Sequence, residues 1–370
     1  MPPVTMLIKP ASGLCDMRCK YCFYADVVSK REIKSYGIMN EETLEKLTRK
    51  ALDYADGFCS FGFQGGEPTL AGLDFYKKLI EFQKLHNHKN VTIYNSIQTN
   101  GYGLDEEFVR FLGENKFLVG VSLDGSRAIH NKLRVDANGE GTYEKIIETT
   151  ALLDKHRVDY NILCVVSRDV AQNPVAVYNS LKRFKFLQFI PCIDGFNEPP
   201  SEFSLTAKDY GHFLKETFSL YYKDFKNDNY ISVRNFDNYI SILMGRSPEN
   251  CAMNGRCSCY FLIEGDGSTF PCDFYVLDEW KLGNVNTDSF QRMINSQKAN
   301  EFVQTSQYVA PKCQKCKWYS LCRGGCRRDR EPFADGKLSL NKYCEGYIYF
   351  FENTYQRMLS IVKQIEKTKK

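Results

Sequence analysis

Three cysteines, Cys15, Cys19 and Cys22, fall within eight residues of one another in a Cys-x3-Cys-x2-Cys arrangement. A loop that short turns three thiolates toward one point, and thiolate is a ligand of both iron–sulfur clusters and zinc. A cubane [4Fe–4S] cluster has four iron corners and ordinarily takes four thiolates. Three protein ligands leave one iron open, and an open metal position can hold a substrate or cofactor. The alternative is a zinc site that draws its fourth ligand from elsewhere. Zinc favours two paired knuckles, and no matching pair lies near.

A second, denser set is Cys313-x2-Cys316-x5-Cys322-x3-Cys326, followed by Cys344 and preceded by Cys251, Cys257, Cys259 and Cys272. On spacing alone, structural zinc and iron–sulfur ligation fit this set equally. Cys59, Cys164 and Cys192 lie singly in apolar or mixed segments and read as small buried hydrophobes. Disulfides are not expected for the fifteen cysteines. The first ten residues lack the basic-then-apolar layout of a signal peptide, and no apolar run is long enough to span a bilayer. A cytoplasmic chain is therefore expected, and that compartment keeps thiols reduced.

The elements that must position these groups follow from apolar patterning. With 43% hydrophobic and 25% charged residues, the 370-residue chain is globular and long enough for a large core. A net charge of +4 without a concentrated basic face excludes the usual nucleic-acid binder, and the closing Lys-Thr-Lys-Lys reads as a solvated tail. Apolar, β-branched runs at Val4–Ile8, Phe58–Phe63, Val91–Ile97, Phe117–Leu123, Tyr160–Val166 and Phe186–Ile190 predict six strands. Helical patterns fall between them, at 41–55, 74–86, 105–115, 142–156 and 174–184. In the first, Asn40 can cap, Glu41 and Glu42 suit the positive end, and Leu44, Leu47, Ala51, Leu52 and Ala55 share one face. Such alternation predicts an α/β fold with a parallel sheet and right-handed crossovers, curved like an incomplete eight-stranded barrel. In that architecture chemistry sits at the C-terminal ends of the strands. The cysteine triad, Gln64-Gly65-Gly66-Glu67-Pro68, Gln98-Thr99-Asn100-Gly101, Ser122-Leu123-Asp124-Gly125 and Pro191-Cys192-Ile193-Asp194 all follow predicted strands. After about residue 200 the alternation is expected to stop. Residues 207–245 look helical, with Phe213, Leu214, Phe218 and Tyr221 as a core-facing stripe. From 251 a turn-rich, cysteine-rich segment leads to a last helix near 346–366.

Here the chain resembles a known family. Cys15-Asp16-Met17-Arg18-Cys19-Lys20-Tyr21-Cys22, with Phe23 after it, looks like the signature loop of the radical S-adenosylmethionine (SAM) superfamily, whose fold is a partial (β/α)6 barrel of parallel strands. The resemblance implies that the open iron chelates SAM and that reductive cleavage yields a 5′-deoxyadenosyl radical. It implies SAM contacts at Phe23, Gln64, Gly65, Gly66 and Glu67, with Ser122 and Arg134 meeting the SAM carboxylate. The later cysteines look like a SPASM extension, a C-terminal iron–sulfur domain with two auxiliary [4Fe–4S] clusters, making three clusters in all. By that match Cys251, Cys257, Cys272 and Cys326 hold the first auxiliary cluster, and Cys313, Cys316, Cys322 and Cys344 the second. Cys259, two residues from Cys257, is the competing ligand. The expected division is a radical SAM barrel over 1–205, a helical linker over 206–250 and the auxiliary-cluster domain over 251–370.

Within the superfamily the chain resembles anaerobic sulfatase-maturating enzymes, through Ser35-Tyr36-Gly37-Ile38-Met39, the stretch from Phe63 to Gly72, Pro271 to Asp278, and Lys317-Trp318-Tyr319 with Cys322 to Arg328. That implies oxidation of a cysteine or serine in an unfolded sulfatase to Cα-formylglycine, with Asp273 as base, Tyr24 lining the substrate site, and a flavodoxin or ferredoxin as electron donor. One rival is a radical SAM maturase that forms thioethers or epimers on a ribosomal peptide. Only fourteen residues precede Cys15, so the leader-recognition domain many of those carry is not expected within this stretch, which counts against the rival, although that domain can be a separate chain. A second rival, a non-catalytic iron–sulfur or zinc protein, explains the cysteines but not the SAM-type phrases.

Overall fold

The structure, a computed structural model, describes residues 2–368 apart from Asn197 and Asp335. Half of the closing basic tail, Lys369 and Lys370, lies outside the described residues. Six strands form where the apolar runs predict them: β1 (Val4–Ile8), β2 (Phe58–Phe63), β3 (Thr92–Thr99), β4 (Leu118–Ser122), β5 (Tyr160–Val166) and β6 (Phe186–Pro191). Four shorter ones follow: β7 (Ser232–Val233), β8 (Phe261–Ile263), β9 (Ser268–Phe270) and β10 (Gly283–Asn284). Helices Glu41–Tyr54, Leu73–His86, Glu106–Glu114, Tyr143–Lys155 and Pro174–Leu181 separate the first six strands. The first begins as its sequence requires. Asn40 accepts from the Thr43 N–H at 2.8 Å, and Leu44, Leu47, Ala51 and Leu52 are buried. Among the described residues no helix is long and apolar enough to cross a membrane.

The chain folds into two compact units. The first comprises Met1–Ser122, Arg134–Tyr160 and Cys259–Phe302. Its strands lie in the order β10-β9-β8-β1-β2-β3-β4. From β8 to β4 the pairings are parallel, while β9 and β10 are antiparallel additions. The return of the chain to this sheet after residue 260 is not expected from the sequence. β8 spans three residues, Phe261, Leu262 and Ile263, all buried, which is too short a run to show a period.

The second unit comprises Leu123–Leu133, Asn161–Ser258 and Val303–Lys370. Here β6 pairs in parallel with β5 and β7. The expected helical stretch over 207–245 is two helices, Ala207–Lys226 and Arg234–Leu243. They are separated by a turn in which Asp228 takes φ 54°, and by β7. Phe213, Leu214, Phe218 and Tyr221 are buried as their stripe requires, and Phe218 meets Phe236 edge-on with ring centres 5.1 Å apart. The helix Ala207–Lys226 crosses the last helix, Cys344–Thr368, at two glycines. A Cβ at Gly346 would sit 2.2 Å from the Ala207 carbonyl oxygen, and one at Gly211 would sit 2.7 Å from the Gly346 Cα. This close crossing fixes the helix that begins on Cys344.

Replacing Gly346 by Ala is therefore expected to cost about 2 kcal/mol by overpacking. Denaturant unfolding of the reconstituted protein measures it. An unchanged midpoint would show that the crossing yields more easily than its spacing implies.

Candidate active site

The loop after β1 carries Cys15, Cys19 and Cys22, and the backbone following β2 is pressed directly onto it. Gly66 N–H donates to the Ser12 carbonyl at 2.9 Å, and Glu67 N–H to the Leu14 carbonyl at 2.7 Å. A Cβ on Gly66 would lie 2.0 Å from the Leu14 oxygen, so only glycine permits the approach. Gly65 takes φ 145° beside it. Burial pushes the Cys15 thiol up to about 12, with Glu67 and Asp16 adding to the effect. Metal ligation would displace that proton, since the ligand is the thiolate. Three thiols share this one loop, and Cys19 is among the groups acting on Cys15.

Glu67 organises the rim above this loop. Its Oε1 accepts from Thr69 N at 3.1 Å, Thr69 Oγ1 at 2.7 Å and Thr99 Oγ1 at 2.7 Å, and its Oε2 from Asn100 N at 2.7 Å. Burial raises its pKa against those hydrogen bonds, which lower it. Asn100 in turn donates from Nδ2 to Asp16 at 2.7 Å, tying the rim after β3 to the thiol loop. Oε2 has one bond and a further lone pair, the acceptor available to an ammonium group. On the other side, Arg18 N–H donates to the Val135 carbonyl at 2.8 Å. The Arg134 guanidinium, 6% exposed, donates to the Tyr21 hydroxyl at 2.9 Å. That places a bidentate carboxylate donor against the thiol loop, in the same unit as half-buried Ser122 at the end of β4.

Asp273 lies on a 3-10 turn after β9. One carboxylate oxygen pairs with Lys9 Nζ at 2.6 Å, and the other accepts from Gln64 Nε2 at 3.1 Å. Its backbone N–H donates to the Tyr260 hydroxyl at 2.8 Å, and that hydroxyl contacts the Cys272 sulfur at 3.6 Å. Phe23 packs edge-on against Phe274, with ring centres 5.2 Å apart. Tyr24 is 3% exposed, its hydroxyl hydrogen-bonded to Glu264 and its ring beneath Lys9 Nζ at 3.7 Å. Arg31 completes the group with an ion pair to Glu264 at 2.6 Å. Lys9, Arg31 and Glu264 are not found from sequence. Lys9, a cation directly after an apolar strand, was the one available signal.

In the second unit Cys313, Cys316, Cys322 and Cys344 border the same pocket, together with Lys312, Trp318 and Tyr347. Among the described residues no three thiols, imidazoles or carboxylates gather tightly enough to close on one ion. Four thiols bordering one pocket are a donor set that both a cubane and zinc use. In the same unit Cys257 is acted on by the Cys251 thiol and hydrogen-bonded to the backbone of Arg327, next to Cys326. Cys259 feels burial alone, which pushes it up to about 12.

Two family models match the chain. The family model described as "Radical SAM superfamily" matches residues 10–171, and the SPASM model, described as "Iron-sulfur cluster-binding domain", matches 251–317. A cysteine-type anaerobic sulfatase-maturating enzyme of Clostridium perfringens (strain ATCC 13124) is 48% identical, over 99% of this chain and 100% of its own length. A serine-type anaerobic sulfatase-maturating enzyme of Bacteroides thetaiotaomicron is 29% identical, over 98% of this chain and 92% of its own. The solved structure of native anSMEcpe with bound AdoMet and Kp18Cys peptide is 48% identical with a TM-score of 0.94, covering 98% of this chain and 100% of that one.

Two outcomes test this site. Glu67→Ala leaves buried donors of Thr69, Thr99 and Asn100 without an acceptor, which should cost about 3 kcal/mol in denaturant unfolding and abolish SAM binding by calorimetry. Cys257→Ser should lower the iron content of the reconstituted protein, while Cys259→Ser leaves it at the wild-type value. The reverse pattern would exchange the two ligands.

Proposed function

The chain belongs to the anaerobic sulfatase-maturating enzymes of the radical SAM superfamily, and on that premise we propose which side chain it oxidises and how its own residues do so. It is a radical SAM oxidoreductase with three [4Fe–4S] clusters, and it converts a peptidyl cysteine or serine of a sulfatase to Cα-formylglycine. The physiological target we assign is cysteine, supported by 48% identity to a cysteine-type enzyme against 29% to a serine-type one. Bound SAM would supply, on one-electron reduction, a 5′-deoxyadenosyl radical able to take a Cβ hydrogen from the target.

Cys15, Cys19 and Cys22 would hold the first cluster. The Gly65–Gly66 backbone and Glu67 Oε2 receive the SAM amino group, and Ser122 and Arg134 its carboxylate. Phe23 closes the loop against Phe274. Loss of the Cβ hydrogen must be followed by loss of one proton and one electron to reach the thioaldehyde, which water hydrolyses to the aldehyde with release of sulfide. Asp273 takes the thiol proton on its carboxylate, oriented by Gln64 and Lys9. That held carboxylate, one residue from Cys272, is the observation that carries the mechanism. Cys251, Cys257, Cys272 and Cys326, and Cys313, Cys316, Cys322 and Cys344, would hold two fully ligated auxiliary clusters, suited to electron transfer rather than substrate binding. Tyr24 supports the substrate side of the site through its bond to Glu264 rather than by a free hydroxyl. A flavodoxin or ferredoxin of low potential is the electron donor, and the cytoplasm, where thiols stay reduced, is the compartment.

The test is an anaerobic assay with SAM, dithionite and a peptide bearing a Cys-x-Pro-x-Arg core, beside its serine counterpart. The cysteine peptide is expected to lose mass as CH2–SH becomes an aldehyde, with 5′-deoxyadenosine formed. Deoxyadenosine with an unchanged peptide would favour a maturase of ribosomal peptides instead. Asp273→Asn should still cleave SAM but lower formylglycine formation roughly a hundredfold or more, the scale of a lost general base.

A further inference from the structure

Among the described residues, Arg330 is a buried cation with no carboxylate to answer it. It is 5% exposed, and backbone carbonyls hold its guanidinium. Nη1 donates to Ser306 at 3.3 Å, Nε to Ser339 at 3.4 Å, and Nη2 to Tyr308. Among the described residues it makes no ion pair, whereas nearby Arg327 pairs with Glu331. Removing a guanidinium from water costs several kcal/mol unless an opposite charge compensates, and carbonyl dipoles compensate only in part. Burial lowers its pKa, and the acidic groups acting on it most strongly are Cys313, Tyr319, Cys257 and Cys322, in that order.

Those thiols belong to both auxiliary sets. Cys313 and Cys322 border the pocket of the second cluster, and Cys257 is assigned to the first. Ser306 connects them physically. Its carbonyl accepts from Arg330, while its hydroxyl accepts from the Cys257 N–H at 2.8 Å. On the other side, a Cβ at Gly324, between Cys322 and Cys326 in the chain, would lie 3.7 Å from Arg330 Nη1.

We propose that Arg330 is the counter-charge shared by the two auxiliary clusters, fixed between their ligands so as to raise the reduction potential of both. A cubane with four thiolates is anionic when oxidised and more so when reduced, so a nearby fixed cation favours the reduced form. The proposal rests on the assignment of those eight cysteines as cluster ligands. Arg330 touches no substrate; it is a tuning residue acting through the clusters.

The experiment compares anaerobically reconstituted wild type, Arg330→Met and Arg330→Lys by iron and sulfide content, then by redox titration followed by electron paramagnetic resonance. In Arg330→Met both auxiliary midpoints should move to more negative potential, while the cluster on Cys15, Cys19 and Cys22 stays where it was. Arg330→Lys should lie close to wild type. Wild-type iron content with unshifted midpoints in Arg330→Met would overturn the proposal. Should Arg330→Met take up less iron, recovery in Arg330→Lys supports the charge. Equal loss in both variants overturns it, leaving a guanidinium that merely ties carbonyls together. A wild-type protein without the iron of two auxiliary clusters would sink the ligand assignment itself, a failure distinguishable from the others.

Discussion

The contact between Gly66 and the Leu14 carbonyl is the constraint on which the first unit's chemistry depends. No side chain fits there: a Cβ would stand 2.0 Å from the oxygen. The loop that presents the cysteine triad is thereby clamped to the end of β2, with two backbone hydrogen bonds closing the clamp. Glu67 then gathers donors from its own 3-10 turn and from the end of β3. A buried carboxylate with four hydrogen bonds is rigid because each donor left behind would be stranded. Rigidity suits a site that must hold a reactive radical close to one hydrogen atom and away from the protein itself.

Buried charge is the second organising feature. Lys9 with Asp273, and Arg31 with Glu264, are ion pairs of nearly inaccessible side chains, joined by the Tyr24 ring and hydroxyl. Such pairs add little net stability, because desolvation offsets most of their attraction. Their value is orientation. Asp273 cannot swing freely while one oxygen is held by Lys9 and the other by Gln64, so its acceptor geometry is set before a substrate arrives. Arg330 is the contrasting case, a buried charge whose partner is not an amino-acid carboxylate.

Much of this was legible in the chain. The six strands emerged where apolar, β-branched runs stand, and the Asn40 cap and the buried stripe of Phe213, Leu214, Phe218 and Tyr221 follow local rules of spacing. The short strands after residue 260 did not, since three apolar residues carry no period. The break between Lys226 and Arg234 was likewise hidden, because the apolar stripe continues across a turn that is made by backbone conformation at Asp228.

For the site the division is sharper. Residue type and spacing are local, so the sequence by itself located the two groups of cysteines, the glycine phrase and the carboxylate beside Cys272, while the roles given to them came from the family resemblance. Electrostatic partnership depends on what lies within a few ångströms, and those neighbours are remote in the chain: Gln64 and Asp273 are 209 residues apart. Only the tertiary structure could therefore decide that Lys9 answers Asp273 and that Tyr24 is engaged by Glu264. Burial decided them, because charges and thiols interact strongly only once water is excluded, and exclusion of water is a property of the folded chain.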